Sequence, residues 1–293
     1  MSVKFFSGGL RKRGVLKKDK KKLPLVSIIT VVLNNKKFLQ QSINSVLNQS
    51  YKNYELIIID GKSTDGTLEI LKKNNSKIDF WISAKDRGIY DAMNKGIKKS
   101  HGSIISMLNS DDIYYKNTLK IATNYFNQHQ NIDFLFGSVI KYKLLYGYRP
   151  WKIHWSFGFY TTHSIGFFIR KKAQKKVGYY NTKYKYSADY DFFLRAYKQN
   201  FSFQYLNVNT TVFRVGGVSN TNCLSYKEGY KILVENDSEF APQMKKAIYR
   251  CYIKKTVKRF IRFLLNTFGL KSFLERRIEK KWKIKVRTPV LCI

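Results

Sequence analysis

The chain has 293 residues, 44% hydrophobic and 16% aromatic, with 55 Lys+Arg against 19 Asp+Glu and a formal net charge of +36. That much apolar surface supplies a core, so the charge does not signal disorder, and 17 Gly with 4 Pro exclude collagen-like and low-complexity chains. The excess directs attention to a polyanion: nucleic acid, an anionic membrane surface or a phosphorylated substrate.

Residues 1–22 carry nine Lys/Arg and one Asp, and residues 245–287 carry sixteen Lys/Arg and two Glu, so the ends hold +22 of the +36. The first of these segments reads as a flexible basic arm, with no apolar run after it long enough for a signal-peptide core. Nowhere does the chain reach about 18 uninterrupted apolar residues. The nearest stretch, 260–274, is broken by Arg262, Asn266 and Lys271. Cys223, Cys251 and Cys292 lack metal-ligand spacing and the density of a disulfide scaffold, which favours a reducing compartment.

From residue 25 short apolar runs alternate with helix-period segments. A strand at 25–33 is followed by a helix with Phe38, Leu39, Ile43, Val46 and Leu47 on one face. A second strand at 54–59 ends at Asp60, and Thr64 is read as the N-cap of a helix carrying Leu68, Ile70 and Leu71. A strand at 78–83, a helix at 89–99 and a strand at 103–108 complete a β-α-β-α rhythm, which implies a mostly parallel sheet with helices on both faces. Beyond it the pattern predicts a helix at 119–128, strands near 134–145, an aromatic loop at 151–160 and a strand at 165–170. A helix at 188–199 and strands at 203–208 and 210–215 follow. The tail from Asn222 reads as helical, with Ile253, Val257, Phe260, Ile261, Leu264 and Phe268 in one stripe and Lys254, Lys255, Lys258, Arg259 and Arg262 mostly opposite.

Ligands of such sheets bind beyond the carboxyl ends of the strands, where Asp60 and Asp111 both fall. The run from Asp60 to Thr67 offers a carboxylate with Gly61 and Gly66 for close backbone approach; it also reads as a strand-to-helix turn with Asp65 as a local cap. Asn109-Ser110-Asp111-Asp112 groups oxygen ligands suited to a Mg²⁺ or Mn²⁺ shared with a diphosphate, or else forms a capping box or Asx-turn opening the next helix. The segment Asp86-Arg87-Gly88-Ile89-Tyr90-Asp91-Ala92-Met93-Asn94-Lys95-Gly96-Ile97 presents a helix start toward an anion, with Arg87 and Lys95 as phosphate partners or solvated surface. Asp189 and Asp191 fall in the first turn of a helix, where the dipole favours carboxylates and where one could serve as a general base.

Taken in order, SIITVVLN (from Ser27), VLNQSYKNYELIIIDGKSTDGT, DRGIYDAMNKGI, LNSDD, HSIGFFIR (from His163) and ADYDFFLR resemble the inverting glycosyltransferases of family 2, with the GT-A fold, above all those assembling O-antigen and other bacterial surface polysaccharides. The resemblance spans about residues 24–218, and with the basic ends it divides the chain into three parts. These are a basic arm at 1–22, a GT-A domain at 23–220 with a Rossmann-like, mostly parallel sheet, and a basic helical extension at 221–293. It places Asp60, Thr30, Val32 and Asp86 at the nucleotide-sugar donor, Asn109-Ser110-Asp111 at the metal motif with Asp111 holding the cation, and Asp189 at the catalytic base, while Asp191 orders its helix. His163 and Arg214 match positions near the diphosphate or acceptor. Asn109 and Ala188 stand where the family usually has acidic residues.

The implied reaction is a single in-line displacement from a UDP-linked sugar to a saccharide or polyprenyl-diphosphate-linked saccharide, with Mg²⁺ or Mn²⁺ as cofactor. Two alternatives are a nucleic-acid-binding basic protein, for which only the aromatic stretch 142–160 is a candidate surface, and a non-catalytic transferase fold. The catalytic reading expects no specific nucleic acid. The basic amphipathic tail implies an anionic membrane surface as partner and a cytoplasmic, peripheral location on the inner face of the plasma membrane; the same stripe could instead pack on the catalytic domain.

Overall fold

The computed structural model describes residues 5–140, 144–145, 166–213, 223–236, 238 and 241–268; His163, Arg214, Cys292 and the loop at 151–160 lie outside them. The chain divides into two units, residues 1–221 and 222–293. In chain order the first contains β1 (Phe6–Gly8), a 3-10 turn (Leu10–Arg13), β2 (Val26–Val32), α1 (Lys36–Leu47), β3 (Tyr54–Asp60), α2 (Thr67–Lys73), β4 (Phe80–Ser83), α3 (Ile89–Lys99) and β5 (Ile104–Met107). It continues with β6 (Ile113–Tyr114), α4 (Thr118–Gln128), β7 (Phe134–Ile140), β8 (Leu144–Leu145), β9 (Phe167–Arg170), α5 (Lys171–Val177), α6 (Ala188–Lys198) and β10 (Phe203–Val212). The second contains α7 (Leu224–Glu235) and α8 (Ala241–Thr267).

Among the described residues ten strands form one sheet in the order β1-β4-β3-β2-β5-β9-β7-β10-β6, with β8 against β7. The stretch β4-β3-β2-β5 is parallel, as the alternation predicts. Strands β2 and β3 are buried on both faces, which is why they read as largely Val/Ile runs. On one face Leu39, Ile43 and Val46 of α1, Leu71 of α2 and Leu119, Ala122 and Phe126 of α4 pack with Ile28, Ile58, Ile104 and Phe168 in one core.

The other face takes α3, and here a glycine is required. A Cβ on Gly96 would lie 2.3 Å from Ile29 Cγ2, so only hydrogen lets α3 approach β2 this closely. Further along that sheet, Phe192 and Phe193 of α6 pack against Phe134, with Phe193 also meeting Phe136 and Phe167; ring centroids are 5.2–6.2 Å apart. Both α6 rings are fully buried, each stabilising the docked helix by about 1.5–3 kcal/mol.

Several expectations are corrected. Residues 5–22, within the segment 1–22 read as a flexible arm, are ordered against the sheet: β1 pairs antiparallel with β4, Arg11 bonds Glu55, and Lys17 lies 2.9 Å from Asp79. Net charge concealed this, because the binding is done by individual cations meeting buried carboxylates at the amino ends of the strands. The two strands expected at 203–215 are one, β10, with register shifts against β7 between Tyr205 and Thr211 that interrupt its alternation. Thr64 is not the N-cap of α2; Gly66 is, with φ +98°, and Asp65 receives the Thr67 amide at 3.1 Å. Helix α5 and the two-residue β6 carry too little periodicity to be foreseen. Cys223 and Cys251 form a disulfide between α8 and the residue capping α7, so the cysteines give no support to a reducing compartment.

Candidate active site

The strand order reverses at β2: the chain steps outward through β3 and β4, then returns to build β5 on the other side. The topological switch point, where ligands of such sheets bind, therefore lies beyond the carboxyl ends of β2 and β5. Asp60 ends β3, in register with Val32 on one side and Ser83 on the other. Its carboxylate is fully buried and accepts the Ser83 hydroxyl at 2.5 Å and the Ser63 hydroxyl at 2.5 Å, with the Ser63 amide at 3.2 Å.

The neighbouring backbone is drawn in tightly. Asn34, at φ +51°, accepts the Thr64 amide on its side-chain oxygen at 2.8 Å, closing the β2 loop on the β3 loop. Asp65 receives the Lys36 amide at 2.9 Å as well as Thr67, thereby tying the first turns of α1 and α2 together. Burial pushes its carboxyl up, but these hydrogen bonds outweigh that and hold it below the ordinary Asp range. A Cβ on Gly61 would stand 2.6 Å from Asp86 Oδ2, so that carboxylate lies close over the backbone after Asp60. The Asp86 carboxylate thus rests on the residue after Asp60, and its other oxygen receives the Gly88 amide at 2.9 Å at the start of α3.

Beyond β5, Ser110 Oγ accepts the Asn35 side-chain amide at 2.8 Å, and the Asn109 carbonyl accepts the Asp112 amide at 3.1 Å. The side-chain oxygen of Asn109 is buried without a hydrogen-bond partner among the described residues. Asp111 is half-buried and Asp112 fully buried. The segment leads into β6 rather than into a helix, so it is not a helix cap. An orphan amide oxygen beside a part-exposed carboxylate is a hard-oxygen donor pair, and it fits a Mg²⁺ or Mn²⁺ whose remaining ligands come from water and a diphosphate.

Asp189 and Asp191 both lie in the first turn of α6. Asp191 accepts from Arg195 Nε at 2.9 Å, and the same guanidinium donates to the carbonyls of Val177 and Tyr179, so this pair orders the helix and the loop before it. Asp189 Oδ1 accepts the Tyr90 hydroxyl at 2.9 Å and the Tyr190 amide at 2.9 Å.

The model of glycosyl transferase family 2 matches residues 27–198, more than half of the chain. The chain belongs to that family. It is 29% identical over 212 residues to a PGL/p-HBAD biosynthesis glycosyltransferase of Mycobacterium bovis, covering 68% of this chain and 80% of the relative. Among solved structures, Staphylococcus aureus TarS 1–349 in complex with UDP-GlcNAc superimposes with a TM-score of 0.59 at 21% identity, over 72% of this chain and 66% of that one. The mannosyltransferase PcManGT of Pyrobaculum calidifontis, in complex with GDP-Man and Mn²⁺, gives 0.57 at 14% identity over 77% and 69%. The chain spans 39% of the longer TarS chain. These likenesses establish the GT-A fold of the family 2 domain.

Of the residues singled out in the sequence, Asp86 lies over Gly61, the residue after Asp60, and Ser110 joins the β5 end to α1 through Asn35. Thr30 and Val32 are buried within β2. Arg87 and Lys95 do not converge on an anion site: both pair with Asp91 one turn away on the surface of α3, at 3.2 and 3.0 Å. Sequence reasoning passed over Ser63, Ser83, Asn35 and Tyr90. Ser83 was detectable as the strand-end residue opposite Asp60 in a parallel pairing, whereas Tyr90 had no such signal, because its partner lies 99 residues away.

Proposed function

We propose that this family 2 enzyme transfers a sugar from a nucleotide-sugar donor of the UDP type to a saccharide or polyprenyl-diphosphate-linked saccharide, with inversion, in the assembly of a surface polysaccharide. The observation that carries the reading is an unbroken chain of contacts joining three elements: Asp60 is followed by Gly61 beneath Asp86, Asp86 holds the start of α3, and Tyr90 of α3 meets Asp189 of α6. A base-reading carboxylate at a strand end and a second carboxylate on a separate helix are thereby held to one frame. The complexes of TarS with UDP-GlcNAc and of PcManGT with GDP-Man and Mn²⁺ support a nucleotide-sugar donor and a divalent cation.

In this mechanism Asp60 accepts a hydrogen bond from the donor base, with Thr30, Val32 and Asp86 bounding the nucleotide. Asp111, with Asn109 and next to Ser110, holds Mg²⁺ or Mn²⁺, which supplies neutralisation of the leaving diphosphate. Asp189 takes the proton of the acceptor hydroxyl while the hydroxyl oxygen bonds to the anomeric carbon and the bond to the diphosphate breaks. One displacement inverts that carbon. His163 and Arg214 serve the diphosphate or acceptor side.

The second unit supports an anionic membrane surface as partner. Tyr249, Phe260 and Phe263 in α8 and Phe268 just beyond it are each at least 60% exposed, and the helix also bears Lys254, Lys255 and Arg259. Such a helix lies in a lipid interface, aromatic rings in the headgroup boundary and cations toward acidic lipid, as on the inner face of the plasma membrane. No helix among the described residues is long and apolar enough to cross a membrane.

The test is a panel of UDP-GlcNAc, UDP-glucose, UDP-galactose and GDP-mannose with Mn²⁺, scored for binding and nucleotide release. A UDP-sugar is expected to bind and turn over, and Asp111→Ala to lose the metal-dependent part of that binding. Full activity in excess chelator would remove the cation, and salt-sensitive binding to arbitrary oligonucleotides with no turnover of any nucleotide sugar would overturn the reading.

A further inference from the structure

Helix α3 carries Tyr90 and Asn94 one turn apart, so both point to the same side. Asn94 clamps the Tyr180 backbone at two points, donating to its carbonyl at 2.8 Å and accepting its amide at 2.9 Å. Tyr90 lies with its ring 5.6 Å from that of Tyr180, only 8% exposed, and its hydroxyl is 2.9 Å from Asp189 Oδ1 and 3.2 Å from the Tyr186 carbonyl. A phenol has one proton to donate, and the nearer, ionised oxygen is the better acceptor.

We infer that Tyr90 is a positioning residue for Asp189, its hydroxyl fixing the rotation of that carboxylate and favouring its ionised form. The inference rests on Asp189 acting as the general base. Three features of the frame serve it: α3 is locked to β2 by the close approach at Gly96, Asn94 holds the loop that enters α6, and Phe192 and Phe193 anchor α6 on the sheet. A carboxylate on the first turn of α6 is therefore held by a donor from α3 whose own place is set by the sheet.

Tyr180 provides a matched control. It is equally buried beside Asp189, and burial followed by the Asp189 charge pushes its phenol upward, yet its hydroxyl has no hydrogen-bond partner among the described residues. Both tyrosines pack; only Tyr90 is seen to donate to Asp189. Among the described residues, Tyr90 from α3 and Tyr180 from the preceding loop face Asp189, while Arg195 on α6 is paired with Asp191.

The experiment compares Tyr90→Phe, Tyr180→Phe and Asp189→Asn in the full chain. Carboxyl-carbon NMR titration with ¹³C-labelled Asp, the Asp189 signal being the one missing in Asp189→Asn, needs no substrate. Loss of one hydrogen bond to a charged group should raise the Asp189 midpoint by roughly one pH unit in Tyr90→Phe and leave it in place in Tyr180→Phe. With the nucleotide sugar turned over fastest in the panel, kcat of Tyr90→Phe should fall roughly tenfold at neutral pH, donor KM staying within about twofold. An unmoved midpoint, or a loss of activity matched by Tyr180→Phe, would overturn the inference. Wild-type turnover in Asp189→Asn would instead remove the base assignment, so the two failures are separable.

Discussion

Arg11, in the 3-10 turn after β1, reaches Glu55 at the start of β3 with Nη2 2.5 Å from Oε2, and joins the amino-terminal segment to the core of the sheet. Glu55 is 1% exposed and also accepts the Ser27 hydroxyl at 2.5 Å and the His101 amide at 2.7 Å. Burial pushes its carboxyl up; the hydroxyl, the amide and the guanidinium together outweigh this and hold it below 4.5. A carboxyl depressed in the folded state stabilises the fold above its unfolded value and loses that contribution as pH falls through the folded one. Arg11→Met should therefore cost about 2–3 kcal/mol at pH 7, and the difference from wild type should shrink as the pH falls through the depressed folded value and Glu55 protonates. Urea denaturation at pH 7 and at acid pH checks this; a pH-independent difference would assign the loss to packing alone.

Gly96 makes a second, opposite prediction to helix propensity. Ala is the better helix former by about 1 kcal/mol, but its Cβ would strike Ile29, which is 1% exposed and enclosed in the sheet. Gly96→Ala should destabilise by about 1–2 kcal/mol net, since overpacking in a closed core outweighs the propensity gain. In a double-mutant cycle with Ile29→Ala the combined loss should be smaller than the sum. An increase in thermal midpoint for Gly96→Ala would show that α3 is free to move off β2.

Asp60 has its own partners, the hydroxyls of Ser63 and Ser83 and the Ser63 amide, and a carboxylate offers about four acceptor sites. The two serines leave room for one donor from a nucleotide base and hold the carboxylate ready for it. Asp60→Asn should weaken UDP binding by about 10- to 100-fold, the range for a hydrogen bond to a charged group. Ser83→Ala, which loosens the carboxylate but keeps its charge, should weaken it several-fold. Calorimetric titration with UDP and Mn²⁺ reads both, and equal affinity in wild type and Asp60→Asn removes Asp60 from the nucleotide site.

The cations of α8 should matter to lipid and not to chemistry. With each nearby Lys or Arg contributing about 1 kcal/mol at an anionic surface, the triple change of Lys254, Lys255 and Arg259 to Gln should lower affinity for vesicles containing phosphatidylglycerol by about 100-fold. Phosphatidylcholine vesicles should show little difference, and turnover of a soluble donor should be retained. Cosedimentation that does not distinguish the triple variant from wild type would leave α8 without a membrane role.

The parallel sheet, its two layers of helices and the placement of Asp60, Asp111 and Asp189 at element ends were legible from local pattern. Each depends on periodicity or on a strand-to-loop boundary, information that neighbouring residues carry. The net charge of +36 was a poorer guide. It led to reading residues 1–22 as an arm held by nothing, whereas Arg11 and Lys17 have buried carboxylate partners at Glu55 and Asp79. Composition counts charges without knowing their partners. The disulfide between Cys223 and Cys251, 28 residues apart, and the pairing of Arg87 and Lys95 with Asp91 escaped for the same reason.

What the sequence by itself determined is the alternation of strands and helices from residue 25 to 108, because that follows from hydrophobic period, while Asp60, Asp111 and Asp189 were singled out through the family resemblance. Only the tertiary structure decided how those carboxylates are held. Ser83 reaches Asp60 through strand pairing, Asp86 rests on Gly61 because two loops close together, and Tyr90 meets Asp189 because α3 and α6 dock on the same face of the sheet. These are contacts between residues from 23 to 99 positions apart, set by packing, and no periodicity along the chain encodes them.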